Sequence, residues 1–131
     1  MLNISTNKLI FENSCESLKN HGFSLGCLIM VKNEEKRICV TLKSVKDFIN
    51  YIVIYDTGSD DNTIDTIKNY CIKNNIYLYI IGGKFVNFYE SRNVLLEYAE
   101  TLPIDYFLLL DSNDELKGGE ELIQLLKKNK K

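Results

Sequence analysis

The sequence predicts a three-layer α/β/α domain built on a mostly parallel sheet. Two observations carry that expectation. Four short apolar runs recur along the chain, at Leu25–Val31, Tyr51–Tyr55, Ile76–Ile81 and Tyr106–Leu110. A segment with apolar residues at helical spacing follows each of them. Strands that alternate with helical crossovers give parallel pairing with right-handed connections, and strands buried on both faces read as unbroken apolar runs.

The elements follow in order. Residues 1–23 read as an extension that packs on the main domain, residues 24–131; within it Leu9-Ile10-Phe11 is apolar and Glu12-Asn13-Ser14 is turn-like. After the first run, Lys32-Asn33-Glu34-Glu35 is expected to open a helix in which Ile38, Leu42, Val45 and Ile49 form one face. After the second, the polar turn Asp56–Asp61 leads into a helix marked by Ile64, Ile67 and Cys71. Asp65 lies in its first turn, where the macrodipole favours an acid. Gly82-Gly83 closes the third run, and a helix beginning near Phe88 or Tyr89 turns Val94, Leu95, Tyr98 and Ala99 inward before Pro103. The fourth run ends in Asp111-Ser112-Asn113-Asp114. Gly118-Gly119 then introduces a last helix with Leu122, Leu125 and Leu126, and the basic tail 127–131 reads as a frayed, solvated end.

The chain has 131 residues, enough for one domain with its own core. With 45% hydrophobic residues, 26% charged residues and a net charge of −2, it lacks the basic excess of a nucleic-acid binder. Its 14 lysines against 2 arginines read as the mark of an AT-rich genome. Cys15, Cys27, Cys39 and Cys71 show no C-x-x-C spacing, and the single His21 has no partner at ligand spacing. Free thiols in apolar segments favour a reducing, cytoplasmic setting. No signal-peptide pattern is visible, and no apolar run approaches the ~20 residues needed for a membrane span. A soluble protein is expected.

The chemistry concentrates after the strands. Four polar clusters, Lys32–Glu35, Asp56–Asp61, residues 82–93 and Asp111–Glu115, should share one sheet edge, where open parallel sheets bind ligands. The acids and amides after Leu110 offer hard oxygen ligands for a divalent cation meeting a phosphate. Arg92, in Ser91-Arg92-Asn93, suits bidentate phosphate contact, although an ion pair with Glu90 or Asp111 would also account for it. Asp56-Thr57-Gly58-Ser59 equally reads as a tight turn, with Asp60 or Asp61 capping the next helix.

Four segments in order resemble the nucleotide-binding half of inverting family-2 glycosyltransferases with the A-type fold, a Rossmann-like arrangement. They are Cys27–Glu35, Ile54–Thr63, Phe88–Asn93 and Phe107–Asp114, and the resemblance covers roughly residues 24–116. It implies a site for a nucleotide-diphosphate sugar, a UDP- or GDP-sugar, formed by Val31, Asn33, Glu34, Asp56, Thr57, Gly58, Ser59, Arg92, Asp111 and Ser112. Asp56 would lie near the base or ribose, with Asn33 and Glu34 bordering the same pocket. Arg92 would approach the phosphates or the sugar. Asp111, Asn113 and Asp114 resemble the family's metal motif and would hold Mn²⁺ or Mg²⁺ against the diphosphate.

Three departures from the family pattern stand out. Thr57 occupies a position where the family often has a second acid, and Asn113 replaces the usual Asp of the metal motif. The chain also reaches Lys131 soon after that motif, whereas the family's acceptor half and catalytic base normally lie downstream. The implied fold is therefore a truncated one. The implied activity is inverting transfer of a hexosyl unit to an acceptor hydroxyl; the alternative is a catalytically incomplete nucleotide- or sugar-binding module acting with a partner chain. An uncovered sheet edge and crevice point to a second copy or a partner that supplies the acceptor site. A different doubly wound protein, such as a nucleotidyltransferase or a response-regulator-like module, is disfavoured by the lack of a Gly-rich phosphate loop and of a lone lysine downstream of an acidic pocket.

Overall fold

A computed structural model of the chain describes residues 5–9, 23–85, 87–112 and 114–129. Its elements are β1 (Ser5–Leu9), β2 (Leu25–Val31), α1 (Ile38–Val45), β3 (Tyr51–Asp56), α2 (Thr63–Asn74), β4 (Tyr77–Gly82), α3 (Phe88–Glu100), β5 (Tyr106–Asp111) and α4 (Gly119–Asn129). The sheet order is β1-β4-β3-β2-β5, with four parallel strands and β1 antiparallel to β4.

Side chains alternate across the sheet and divide the core in two. On one face, Cys27, Ile29 and Val31 of β2 join Ile52, Ile54, Leu78 and Ile80, and are covered by Ile38, Leu42 and Val45 of α1, Ile67 and Cys71 of α2, and Ile123 of α4. On the other face, Leu28, Val53, Tyr55, Tyr79 and Ile81 pack under Leu95 and Ala99 of α3. Three helices below and one above give the three layers expected from the sequence. Burial pushes the thiols of Cys27 and Cys71 up to about 12, in keeping with small apolar core residues.

The structure departs from the sequence-based expectations at three points. Residues 5–9 of the extension form a sheet strand; the rest of that segment, with Cys15 and His21, lies outside the described residues. Helix α1 begins at Ile38 and not at Lys32, because Asn33 takes a left-handed backbone (φ 52°) that no helix accommodates. The first helical turn forms only after it, where the Glu34 carbonyl accepts from the amides of Arg37 (3.0 Å) and Ile38 (2.8 Å). At the other end, α4 runs through Asn129, so Lys127 and Lys128 are helical and not frayed. They sit in the last turn, where cations complement the dipole.

Register aligns the carboxyl ends of the parallel strands. Val31 pairs with Asp56, Asp56 with Gly82, and Met30 with Asp111. The four polar clusters therefore do share one edge.

Candidate functional site

A cavity of about 480 Å³ opens at that edge, lined by Met30, Val31, Lys32, Glu34, Thr57, Phe85, Phe88, Asp111 and Ser112. Its size suits a small-molecule ligand. Five residues expected from the sequence meet there: Val31, Glu34, Thr57, Asp111 and Ser112.

Glu34 is the most heavily buried acid of the wall. Its side chain is only 13% exposed, and Oε1 accepts from the Arg37 guanidinium at 2.8 Å. Oε2 is buried without a hydrogen-bond partner. A buried carboxylate oxygen left unpaired is costly, and a ligand hydroxyl or N–H would relieve that cost. Thr57 ties the ends of β2 and β3 together, its amide (3.0 Å) and hydroxyl (3.1 Å) both donating to the Val31 carbonyl.

The remaining residues of the first two clusters brace the wall from behind. Asp56 Oδ1 accepts from the Ser59 amide at 3.0 Å, closing a tight turn through Gly58, whose φ of 116° belongs to glycine. Asn33 clasps this turn: its amide donates to Ser59 Oγ at 3.0 Å and its Oδ1 accepts from Asp60 at 2.7 Å. Thr63 Oγ1 accepts from the Glu34 amide at 2.7 Å and donates to Asp61, whose carboxyl is held below its ordinary value chiefly by that hydroxyl. Asn33, Asp56, Gly58 and Ser59 do not line the cavity.

Arg92 also stands outside the lining. It is exposed on α3 and makes no ion pair among the described residues. Asp114 Oδ2 accepts from the Asp111 amide at 3.1 Å, which folds the acidic loop back on itself and leaves the Asp111 carboxylate at the cavity. Asn113 lies outside the described residues. No cluster of three or more His, Cys, Asp or Glu side chains occurs among the described residues. Asp111, with Asp114 beside it, still fits a hard cation of the kind held by one or two carboxylates and completed by substrate phosphates.

Sequence reasoning did not single out Met30, Lys32, Phe85 and Phe88 as site residues. The two phenylalanines stand edge to face at 5.1 Å and are 43% and 68% exposed. Large apolar rings left bare beside a strand's carboxyl end were the available signal.

The family model for glycosyl transferase family 2 matches residues 27–131. The prophage-derived glycosyltransferase SunS of Bacillus subtilis (strain 168) is 38% identical over 97 residues, which are 72% of this chain and 22% of that protein. The chain thus spans about a fifth of the curated relatives it matches. Among solved structures, S. aureus TarS 1-349 has a TM-score of 0.63 at 24% identity over 79% of this chain and 31% of that one. The same protein in complex with UDP gives a TM-score of 0.61. The fold is that of the A-type glycosyltransferases. Aligned strand ends, an acid-lined cavity and a family model covering most of the chain agree, and the chain belongs to glycosyl transferase family 2.

Proposed function

We propose that this domain binds a nucleotide-diphosphate sugar, a UDP- or GDP-sugar, together with Mn²⁺ or Mg²⁺. The binding serves inverting transfer of a hexosyl unit to an acceptor hydroxyl. The observation that carries this reading is the meeting of Glu34, Thr57, Asp111 and Ser112 around one cavity at the strand ends, in a member of family 2. A fold neighbour crystallised with UDP supports the nucleotide assignment.

In this reading the unpaired Glu34 Oε2 accepts from the nucleoside, and Asp56, Asn33, Gly58 and Ser59 hold the loop that borders it. Lys32 offers a positive charge on the same wall. Asp111 and Asp114, with Asn113, form the cation end, and Arg92 reaches the phosphates or sugar from α3. A bound cation neutralises charge on the departing nucleoside diphosphate. The carboxylate that would take the acceptor proton is not assigned to any residue of this chain. Buried free thiols at Cys27 and Cys71 support a reducing, cytoplasmic setting, and no described helix is long and apolar enough to cross a membrane.

The alternative, a nucleotide- or sugar-binding module completed by a partner chain or second copy, draws on the open flank of β5. Among the described residues only β2 pairs with it, and Leu109 is 41% exposed. Calorimetry with a panel of nucleoside diphosphates and their sugars, with and without Mn²⁺, tests both readings. Metal-dependent binding that disappears in Asp111→Ala supports the donor site; no binding at millimolar nucleotide removes it. Binding without sugar release, even by hydrolysis, selects the module.

A further inference from the structure

Helix α1 has a second face. While Ile38, Leu42 and Val45 enter the core, Thr41, Ser44 and, just past the helix end, Phe48 run along the flank toward the acidic loop. The fully buried Thr41 hydroxyl lies within hydrogen-bonding reach of two loop carbonyls, that of Ser112 at 3.0 Å and that of Asp114. It has one hydrogen, so it shares it between them. Ser44 Oγ donates to the Thr41 carbonyl at 2.7 Å and accepts from the Leu116 amide at 2.8 Å. Phe48 lies against Gly119 so closely that a Cβ there would meet its ring at 2.4 Å.

Positions 41, 44 and 48 follow helical spacing, and they meet the loop successively at 112 and 114, at 116 and at 119. Among its described residues the loop between Asp111 and Gly119 has no strand or helix of its own. Besides its own turn, in which the Asp114 amide donates to the Asp111 carbonyl at 3.0 Å, its backbone is held by this stripe, 71 to 73 residues away in sequence at Thr41.

We propose that Thr41 and Ser44 are positioning residues for the cation and diphosphate end of the site. Thr41 holds the carbonyls of Ser112 and Asp114 and Ser44 holds the Leu116 amide, so that the Asp111 carboxylate stays presented to the cavity. This rests on the reading of Asp111 given above. Thr41 touches neither cation nor substrate; it sets the loop that does, as outer-shell partners do for ligating groups.

The test compares Thr41→Val, which removes the hydroxyl at similar volume, with Thr41→Ser, which keeps it, and with Ser44→Ala as a milder second lesion. Calorimetry measures Mn²⁺ affinity with and without UDP, and metal-free uridine binding serves as the internal control. Hydrogen exchange reports on residues 111–119. The expected result is a loss of roughly tenfold or more in Mn²⁺-dependent UDP affinity for Thr41→Val, with uridine binding unchanged and loop exchange accelerated. Thr41→Ser should restore both, and Ser44→Ala should fall between. Wild-type Mn²⁺-dependent affinity in a folded Thr41→Val chain overturns the proposal, as does failure of Thr41→Ser to restore it. If the wild type shows no Mn²⁺-dependent UDP binding, the diphosphate reading and the purpose assigned to the stripe fall together. Loop exchange then decides the pinning separately: unchanged exchange in Thr41→Val overturns it, and faster exchange upholds it.

Discussion

Asn33 Oδ1 lies 2.7 Å from the amide nitrogen of Asp60, which joins the loop after β2 to the loop after β3 across 27 positions of sequence. The left-handed backbone at Asn33 makes this reach geometrically available, and asparagine tolerates that backbone better than most residues. Asn33→Ala should therefore lose the acceptor and add strain, at a cost of about 1–3 kcal/mol. Asn33→Asp keeps the acceptor and should cost less. Urea denaturation of the two variants checks the order; equal stabilities would refute it.

Gly119 is predicted to resist substitution. Alanine there must displace the Phe48 ring, and overpacking of this kind costs about 1–3 kcal/mol. Phe48→Leu in the same chain should relieve part of the clash. A double-mutant cycle measured by thermal melts reads the coupling directly.

The exposed ring of Phe88 gives a binding probe. The chain has no tryptophan, so Phe88→Trp introduces a single indole at the cavity wall with little expected effect on stability. Addition of UDP should change its emission. Phe88→Ala should weaken UDP binding by about 1–3 kcal/mol if a base stacks there. Silent fluorescence on addition of UDP that is shown calorimetrically to bind would place the base elsewhere.

Alkaline pH should destabilise the fold through its core thiols. Cys27 and Cys71 are raised from 9.0 to about 12, so the unfolded chain loses those protons first. Their contribution is fully present below pH 9 and is lost as pH rises towards 12. A disulfide-exchange reagent at pH 8 should label the half-buried Cys39 in the native protein and leave Cys27 and Cys71 untouched until denaturant is added. Rapid native labelling of either buried thiol would contradict the packing.

The parallel core was legible in the sequence because its signals are local. Continuous apolar runs such as Leu25–Val31 and the Ile38, Leu42, Val45 spacing each report burial within one element. Strand β1 was not legible: Ser5-Thr6-Asn7-Lys8-Leu9 has no strong apolar alternation, and it joins the sheet by antiparallel pairing with β4. The cavity's polar residues were readable as strand-end clusters, but not which of them face the ligand. Asn33 and Glu34 are adjacent in sequence, yet one braces a loop while the other lines the cavity. Nothing in the sequence singles out Thr41, since its partners lie beyond the reach of any local pattern.

Among the described residues the strand order places Asp111 on the outermost parallel strand, at one end of a cavity that spans the ends of β3, β2 and β5. A neighbour that paired along the side of β5 left unpaired among the described residues would come to rest beside the same carboxylate. A ligand that changes the affinity of β5 for such a neighbour by some factor must have its own affinity changed by that factor in return. If a neighbour pairs there with ligand-dependent affinity, occupancy of the cavity and that pairing become two readouts of a single equilibrium.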